Sequence, residues 1–238
     1  MTTALSNDVF LVETLNKKLI LKIFRVKSKS LFNIHNQKLL IDYFAAKNLT
    51  PSALFFNHKY ALLEYIEGNP LDGMSADFPK IIKEIHTAKL NVRARNFYKT
   101  ANVYLKKIPV EYLNSEMIRQ IPTLFNIINK FPQDIALCHN DLNPNNFVQS
   151  INKLYILDFE YASINDKYFD FASIKTFLNE NNFKDFTQKY DIILNSEKLH
   201  AYGCLLDLLS SLWCFMMNYP TMGKQSAEQM LNKIKDLN

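Results

Sequence analysis

Asp141, Asn146 and Asp158 stand in two short polar stretches, "HNDLNPNN" (139–146) and "DFEYA" (158–162), each beside an apolar run. An Asp carboxylate and an Asn carbonyl are hard oxygen ligands suited to Mg2+, which keeps several waters and is held by few protein groups together with substrate phosphates. A second Asp that does not bind metal can accept a hydroxyl proton as the oxygen attacks phosphorus. An Asp, an Asn five residues on, and a later Asp at the end of a strand thus supply one base and two metal ligands. Asp141 is the expected base, and Asn146 and Asp158 are the expected ligands. His139 is expected to support the loop by hydrogen bonding, without moving a proton. A hairpin with Asn-rich polar ends explains any one of these residues. The whole set in order favours a phosphoryl-transfer site.

Such residues must be carried to one point by the elements around them. "NFVQ" (146–149) and "LYILDF" (154–159) read as two strands joined by the polar turn "SINK". A hairpin there sets its two flanks side by side, so Asp141, Asn146 and Asp158 can converge. Upstream, residues 9–24 hold two β-rich runs around the break "NKK", a second hairpin signal. Residues 33–47 have helical periodicity and stop before Pro51. Two more strands are expected over 53–57 and 60–66. "EGNPLDG" (67–73) holds two of the four glycines in the chain and reads as a linker. Helices are expected over 77–90, 96–107, 115–130, and from about 168 onward. The fold class is therefore α+β, with a small β-rich lobe over 1–67 and a larger, mainly helical lobe over 68–238.

Bulk properties narrow the class of protein. Apolar residues make up 48% of 238, enough for a packed core and too many for a disordered chain. The net charge of +5 is spread among 23 acidic residues, with no basic run interleaved with aromatics, so no nucleic-acid partner is expected. Cys138, Cys204 and Cys214 have no metal-ligand spacing and are odd in number, which suits free buried thiols in a reducing cytoplasm. "MTTALSNDVF" lacks a charged start followed by an apolar core, so no signal peptide is expected. Residues 204–219 are apolar but short and carry Asp207, which suits a buried core helix and no membrane crossing.

The segments "HNDLNPNN", "LYILDFEYA" and "NDKYFDFASI" (165–174) resemble the choline/ethanolamine kinase group within the larger aminoglycoside-phosphotransferase-like kinase family. That group has a protein kinase-like fold. The likeness is sharp over 138–174 and weaker elsewhere: "ALSNDVFLVET" (4–14) resembles the phosphate-loop strand, "LILKIF" the lysine-bearing strand, and "ALLEYIEG" the hinge. The resemblance implies an ATP- and Mg2+-dependent kinase acting on the hydroxyl of a small molecule. It implies Lys22, Ser6 and Asn7 on the ATP phosphates, and Tyr65, Ile66 and Glu67 as the hinge that meets adenine. Lys22 alternates with Leu21 and Ile23, which puts it on one face with Ile20 and Phe24. An inward lysine needs an anion. Three positions depart from the family pattern. The phosphate loop has no glycine. The following helix has no acid where a lysine-pairing Glu is expected, with Gln37 nearest and Asp42 about a turn later. The acid that commonly follows the Phe-Asp segment is absent at Thr176 and Phe177, with Glu180 slightly beyond.

For the acceptor, the resemblance implies Glu160, Tyr161, Asp170 and Trp213 on a cationic head group, which aromatic faces and a carboxylate recognise. Trp213 equally suits core packing, and Asp170 equally suits a helix cap or a brace for the loop. A second tryptophan common in the family is replaced by Ser210. From Asp170 onward eight Asp/Glu face seven Lys, too balanced for a polycation and compatible with a singly charged alcohol. Choline is the leading acceptor, then ethanolamine. A thiamine or aminoglycoside-type kinase, and a kinase-like binding module without activity, stay open. Oligomeric state is not legible.

Overall fold

A computed structural model of the chain describes residues 7–25, 34–151 and 153–237. In chain order, β1 (Asn7–Glu13), β2 (Lys18–Phe24), α1 (Ile34–Ala46), β3 (Ala53–Phe56), β4 (Tyr60–Glu64), β5 (Asn69–Pro70) and α2 (Phe78–Thr87) come first. Next are α3 (Phe97–Leu105), α4 (Ser115–Ile128), β6 (Ile135–Cys138), β7 (Phe147–Gln149), β8 (Leu154–Ile156) and β9 (Ser163–Asp166). The last are α5 (Tyr168–Phe177), α6 (Glu180–Tyr190), α7 (Ser196–Met216) and α8 (Pro220–Lys233). Contacts group these into two compact units, Met1–Ile85 with His139–Ser163, and His86–Cys138 with Ile164–Asn238.

The first unit is built on an antiparallel sheet in the order β1-β2-β4-β3. Both expected strand pairs are present. The turn between β1 and β2 is held by Thr14, whose Oγ1 donates to the Lys17 carbonyl at 2.9 Å. Register sets Lys22 opposite Val9 on one side and Ala61 on the other. Lys22 and Phe24 are buried while Ile23 between them is exposed, which is the period of two expected for a half-buried strand. Helix α1 buries Leu40, Ile41 and Phe44 along one stripe. Phe44 stacks on Phe159 at 5.1 Å, so α1 seats the first residue after Asp158.

The hairpin read from "NFVQ" and "LYILDF" is β7 with β8, paired from Phe147↔Ile156 to Gln149↔Leu154. Its support corrects one expectation. Residues 67–73 are not a plain linker, because β5 lies within them and pairs with β7 through Asn69↔Gln149 and Pro70↔Val148. A two-residue strand containing Pro has no alternation to reveal it, and Pro is tolerated there because the strand is at the sheet edge. Gly68 lies so close to β7 that a Cβ would fall 2.4 Å from the Gln149 carbonyl oxygen. Helix α2 fixes the same hairpin from its buried face, where Phe78 meets Phe147 edge to face at 5.1 Å.

The second unit surrounds α7. Leu199, Cys204, Leu205, Leu208, Leu212 and Phe215 of that helix are buried. It is the one helix among the described residues long and apolar enough to cross a membrane, and 67% of its most apolar window is buried inside the structure, as the core-helix reading expects. Gly223 lets α8 approach it, since a Cβ there would lie 2.7 Å from the Phe215 ring. The Ser211 hydroxyl donates to the Gly223 carbonyl at 2.7 Å across the same contact. Near its start, α7 buries Lys198 between Asp134 and Asp166, each at 2.8 Å. Strands β6 and β9 pair with each other; both are short and neither was evident in the sequence. All three cysteines are free and buried, as expected.

Candidate active site

The loop after β6 is shaped by its own side chains. Asn140 takes a left-handed backbone (φ 62), which Asn tolerates better than most residues. Its Nδ2 donates to the Tyr161 carbonyl at 3.0 Å and to the Ser163 hydroxyl at 2.8 Å, joining the two motif stretches. His139 is fully buried and hydrogen-bonds through Nε2 to the Leu157 carbonyl at 2.8 Å. A carbonyl only accepts, so Nε2 carries the proton and the imidazole holds the backbone that leads from β8 to Asp158. Asn143 accepts from the Asn145 amide at 3.1 Å, and Pro144 opens the single helical turn that delivers Asn146.

Asp141 and Asn146 meet directly. Asn146 Nδ2 donates to Asp141 Oδ2 at 2.9 Å and to the Asp141 carbonyl at 2.7 Å. With its Nδ2 so engaged, Asn146 has its Oδ1 left as an acceptor. Burial raises the Asp141 carboxyl to about 7, and the charge of Asp158 pushes it the same way, against the Asn146 and Asn143 hydrogen bonds. Asp141 and Asp158 are therefore electrostatic neighbours. Asp158 itself is left-handed (φ 60, ψ 72), a backbone rare for a residue other than glycine and one that concentrates at functional loops.

Lys22 joins this group. Its Nζ lies 2.6 Å from Asp158 Oδ1 and 3.3 Å from Glu160 Oε2. Burial by itself would lower the lysine pKa, but the two carboxylates outweigh it and hold the amine above its ordinary value. Glu160 also accepts from Asn7 Nδ2 at 2.6 Å. Two carboxylates thus meet one ammonium, and the oxygens offered by Asp141, Asn146 and Asp158 are of the hard type that a small divalent cation takes. The donor set fits such an ion.

The other residues singled out in the sequence are distributed more widely. Tyr65, Ile66 and Glu67 follow β4 directly, and Tyr65 and Ile66 line a concavity of about 420 Å³ together with Leu19 and Leu54. Ser6 lies outside the described residues. Tyr161 ends the short helical turn Phe159–Tyr161. Asp170 and Trp213 belong to the second unit. Asp170 is fully buried and sits 3.0 Å from His86 Nε2, whose Nδ1 is 2.8 Å from the Tyr190 hydroxyl. Neither partner was found from the sequence, because 84 residues separate His86 from Asp170 and no motif links them. Trp213 is half-buried and stacks near-parallel to Tyr219 at 6.3 Å.

A small antiparallel sheet bearing a buried lysine, and an Asp–Asn loop beside a left-handed Asp, are the parts of a kinase-like phosphotransferase. Comparison with solved structures gives the same fold. The choline kinase LicA from Streptococcus pneumoniae superposes with a TM-score of 0.87 at 22% identity, covering 99% of this chain and 92% of that one. LicA in complex with AMP superposes at 0.88 and 24% identity, covering 100% and 91%. A LicA homologue of Mycoplasma capricolum subsp. capricolum is 29% identical over 200 residues, 79% of this chain and 80% of the relative. The family model "Choline/ethanolamine kinase" matches residues 1–202. The chain belongs to the choline/ethanolamine kinase family, whose members are phosphotransferases with an alcohol group as acceptor.

Proposed function

We propose that this protein is an ATP- and Mg2+-dependent kinase that phosphorylates the hydroxyl of choline or a closely related amino-alcohol. The observation that carries the reading is the connected set Asp141–Asn146 and Asp158–Lys22, with Asp141 raised to about 7 beside the charge of Asp158. Family membership and the likeness to LicA, described as a choline kinase and seen with AMP, support both the acceptor class and the nucleotide.

Segment 1–67 is the nucleotide-binding part in this proposal, with Lys22, Asn7 and Ser6 on the phosphates and Tyr65, Ile66 and Glu67 against the adenine. Asn146 and Asp158 would hold Mg2+, which when bound neutralises charge on the phosphates. Asp141 orients the acceptor hydroxyl and takes its proton as the oxygen bonds to the γ-phosphorus. The bond from that phosphorus to the β-bridging oxygen breaks, ADP leaves, and Lys22 balances charge on the transferred group. A base with a pKa near neutrality is well matched to that proton. Tyr161, Asp170 and Trp213 are proposed for the acceptor side, on the family resemblance. A cytoplasmic protein without nucleic-acid or membrane partners is the setting we propose for this chemistry.

The test is ADP release with Mg2+-ATP and four acceptors: choline, ethanolamine, thiamine and one aminoglycoside. Choline or ethanolamine is expected to give the highest kcat/KM. Preferential turnover of thiamine or the aminoglycoside overturns the acceptor class, and nucleotide binding without turnover on any acceptor points to a binding module.

A further inference from the structure

Protein kinases hold the nucleotide lysine with a glutamate from the helix that follows its strand. Helix α1 follows β2 here and offers no such group. Its buried polar residues are the neutral Asn36 and Gln37, and its one acid, Asp42, is paired with Lys38 on the exposed face. Lys22 is nevertheless 6% exposed, and a buried ammonium must be compensated.

Two carboxylates compensate it, and they are not equivalent. Asp158 is the closer, but it is also a proposed metal ligand, so its charge is shared. Glu160 is itself only 5% exposed and is held from behind by Asn7, whose amide donates to the same Oε2 that faces Lys22. Asn7 is the first residue of β1 and lies within the segment 4–14 that resembles a phosphate-loop strand. One oxygen atom therefore fixes both the lysine and the start of β1.

We propose that Glu160 is a positioning residue for the nucleotide: it replaces the absent helix glutamate as the partner of Lys22 and ties the phosphate-binding strand to the "DFEYA" turn through Asn7. This rests on the kinase reading above and moves Glu160 from the acceptor side, where the resemblance put it, to the ATP side.

The experiment measures affinity for a fluorescent ATP analogue with Mg2+, and separately KM for ATP and for choline, in the full chain. Glu160→Gln keeps size and hydrogen bonding but removes the charge. It is expected to weaken nucleotide binding about tenfold and raise KM for ATP to match, with KM for choline unchanged. Lys22→Met should weaken binding too, and the Lys22→Met/Glu160→Gln double variant should be no worse than Lys22→Met alone, because the glutamate acts through the lysine. Additive losses, unchanged affinity in Glu160→Gln, or a rise in the choline KM alone would each overturn the proposal. If Glu160→Gln does not fold, Glu160→Asp is read in its place: it keeps the charge but shortens the reach to Lys22 and Asn7, so about threefold weaker nucleotide binding with the choline KM unchanged supports the role, and unchanged binding overturns it. Wild-type protein that binds Mg2+-nucleotide but phosphorylates no acceptor sinks the acceptor reading and leaves this test standing. Wild-type protein that binds no nucleotide sinks both.

Discussion

Asn146 hydrogen-bonds Asp141 twice, at the carboxylate (2.9 Å) and at the backbone carbonyl (2.7 Å), so one amide fixes both the position and the orientation of the proposed base. The five-residue interval between them closes over a single helical turn started by Pro144. That relationship gives each residue a separable effect on catalysis.

Replacing Asp141 with Ala should lower kcat by about 10²–10⁴, the usual contribution of a positioned base, while affinity for Mg2+-ATP is kept. Steady-state turnover alongside nucleotide titration checks both halves. Near-normal kcat would remove Asp141 from the role of base.

Asp158→Ala takes away a proposed ligand and the closest partner of Lys22 together. The Mg2+ concentration for half-maximal rate should rise at least about tenfold, and nucleotide binding should weaken in parallel. An unaltered Mg2+ dependence would contradict the ligand role.

The Asp141 carboxyl also leaves a signature in stability. Its pKa is about 7 in the folded chain against 3.8 for the free group, so between those values the folded state holds a proton that the unfolded state has lost. Stability without metal or nucleotide should therefore fall as pH rises from about 4 through 7. Asp141→Asn removes that penalty, worth about 1–2 kcal/mol once its partial exposure is allowed for. Melting curves at pH 5 and pH 8 should show the variant gaining mainly at pH 8; an equal gain at both would refute the shift.

Two glycines of the second unit should respond in opposite directions. A Cβ at Gly223 meets the Phe215 ring at 2.7 Å, so Gly223→Ala should cost about 1–3 kcal/mol through overpacking of α8 on α7. Gly203, inside α7, has nothing within 4 Å of a Cβ, and Gly203→Ala should stabilise by about 0.5–1 kcal/mol. Urea denaturation separates the two.

The thiols should be inert in the native protein. Burial lifts Cys138 well above its ordinary range, and raises Cys204 to about 12 and Cys214 to about 11. A thiol-reactive dye at pH 8 should label none of them until denaturant is added, since the thiolate is the reactive form.

Much of the site could be read without coordinates. The Asp–Asn–Asp order, the hairpin around "SINK" and the inward face of Lys22 all come from local spacing, where a period of two or a polar turn is written in neighbouring residues. Strand β5 escaped notice because two residues, one of them proline, make no period. Strands β6 and β9 were missed because four residues after or within polar stretches give too little pattern.

What sequence alone determined, then, was the chemistry: which oxygens were available, in which order, and on which kind of loop. Tertiary structure decided who pairs with whom across long separations. Glu160 reaches Lys22 over 138 positions and Asn7 over 153, and Asp170 is engaged by His86. No local propensity encodes such pairs. They arise because a buried charge must be met by whichever opposite charge the packed core brings within reach, and only the assembled fold sets that distance.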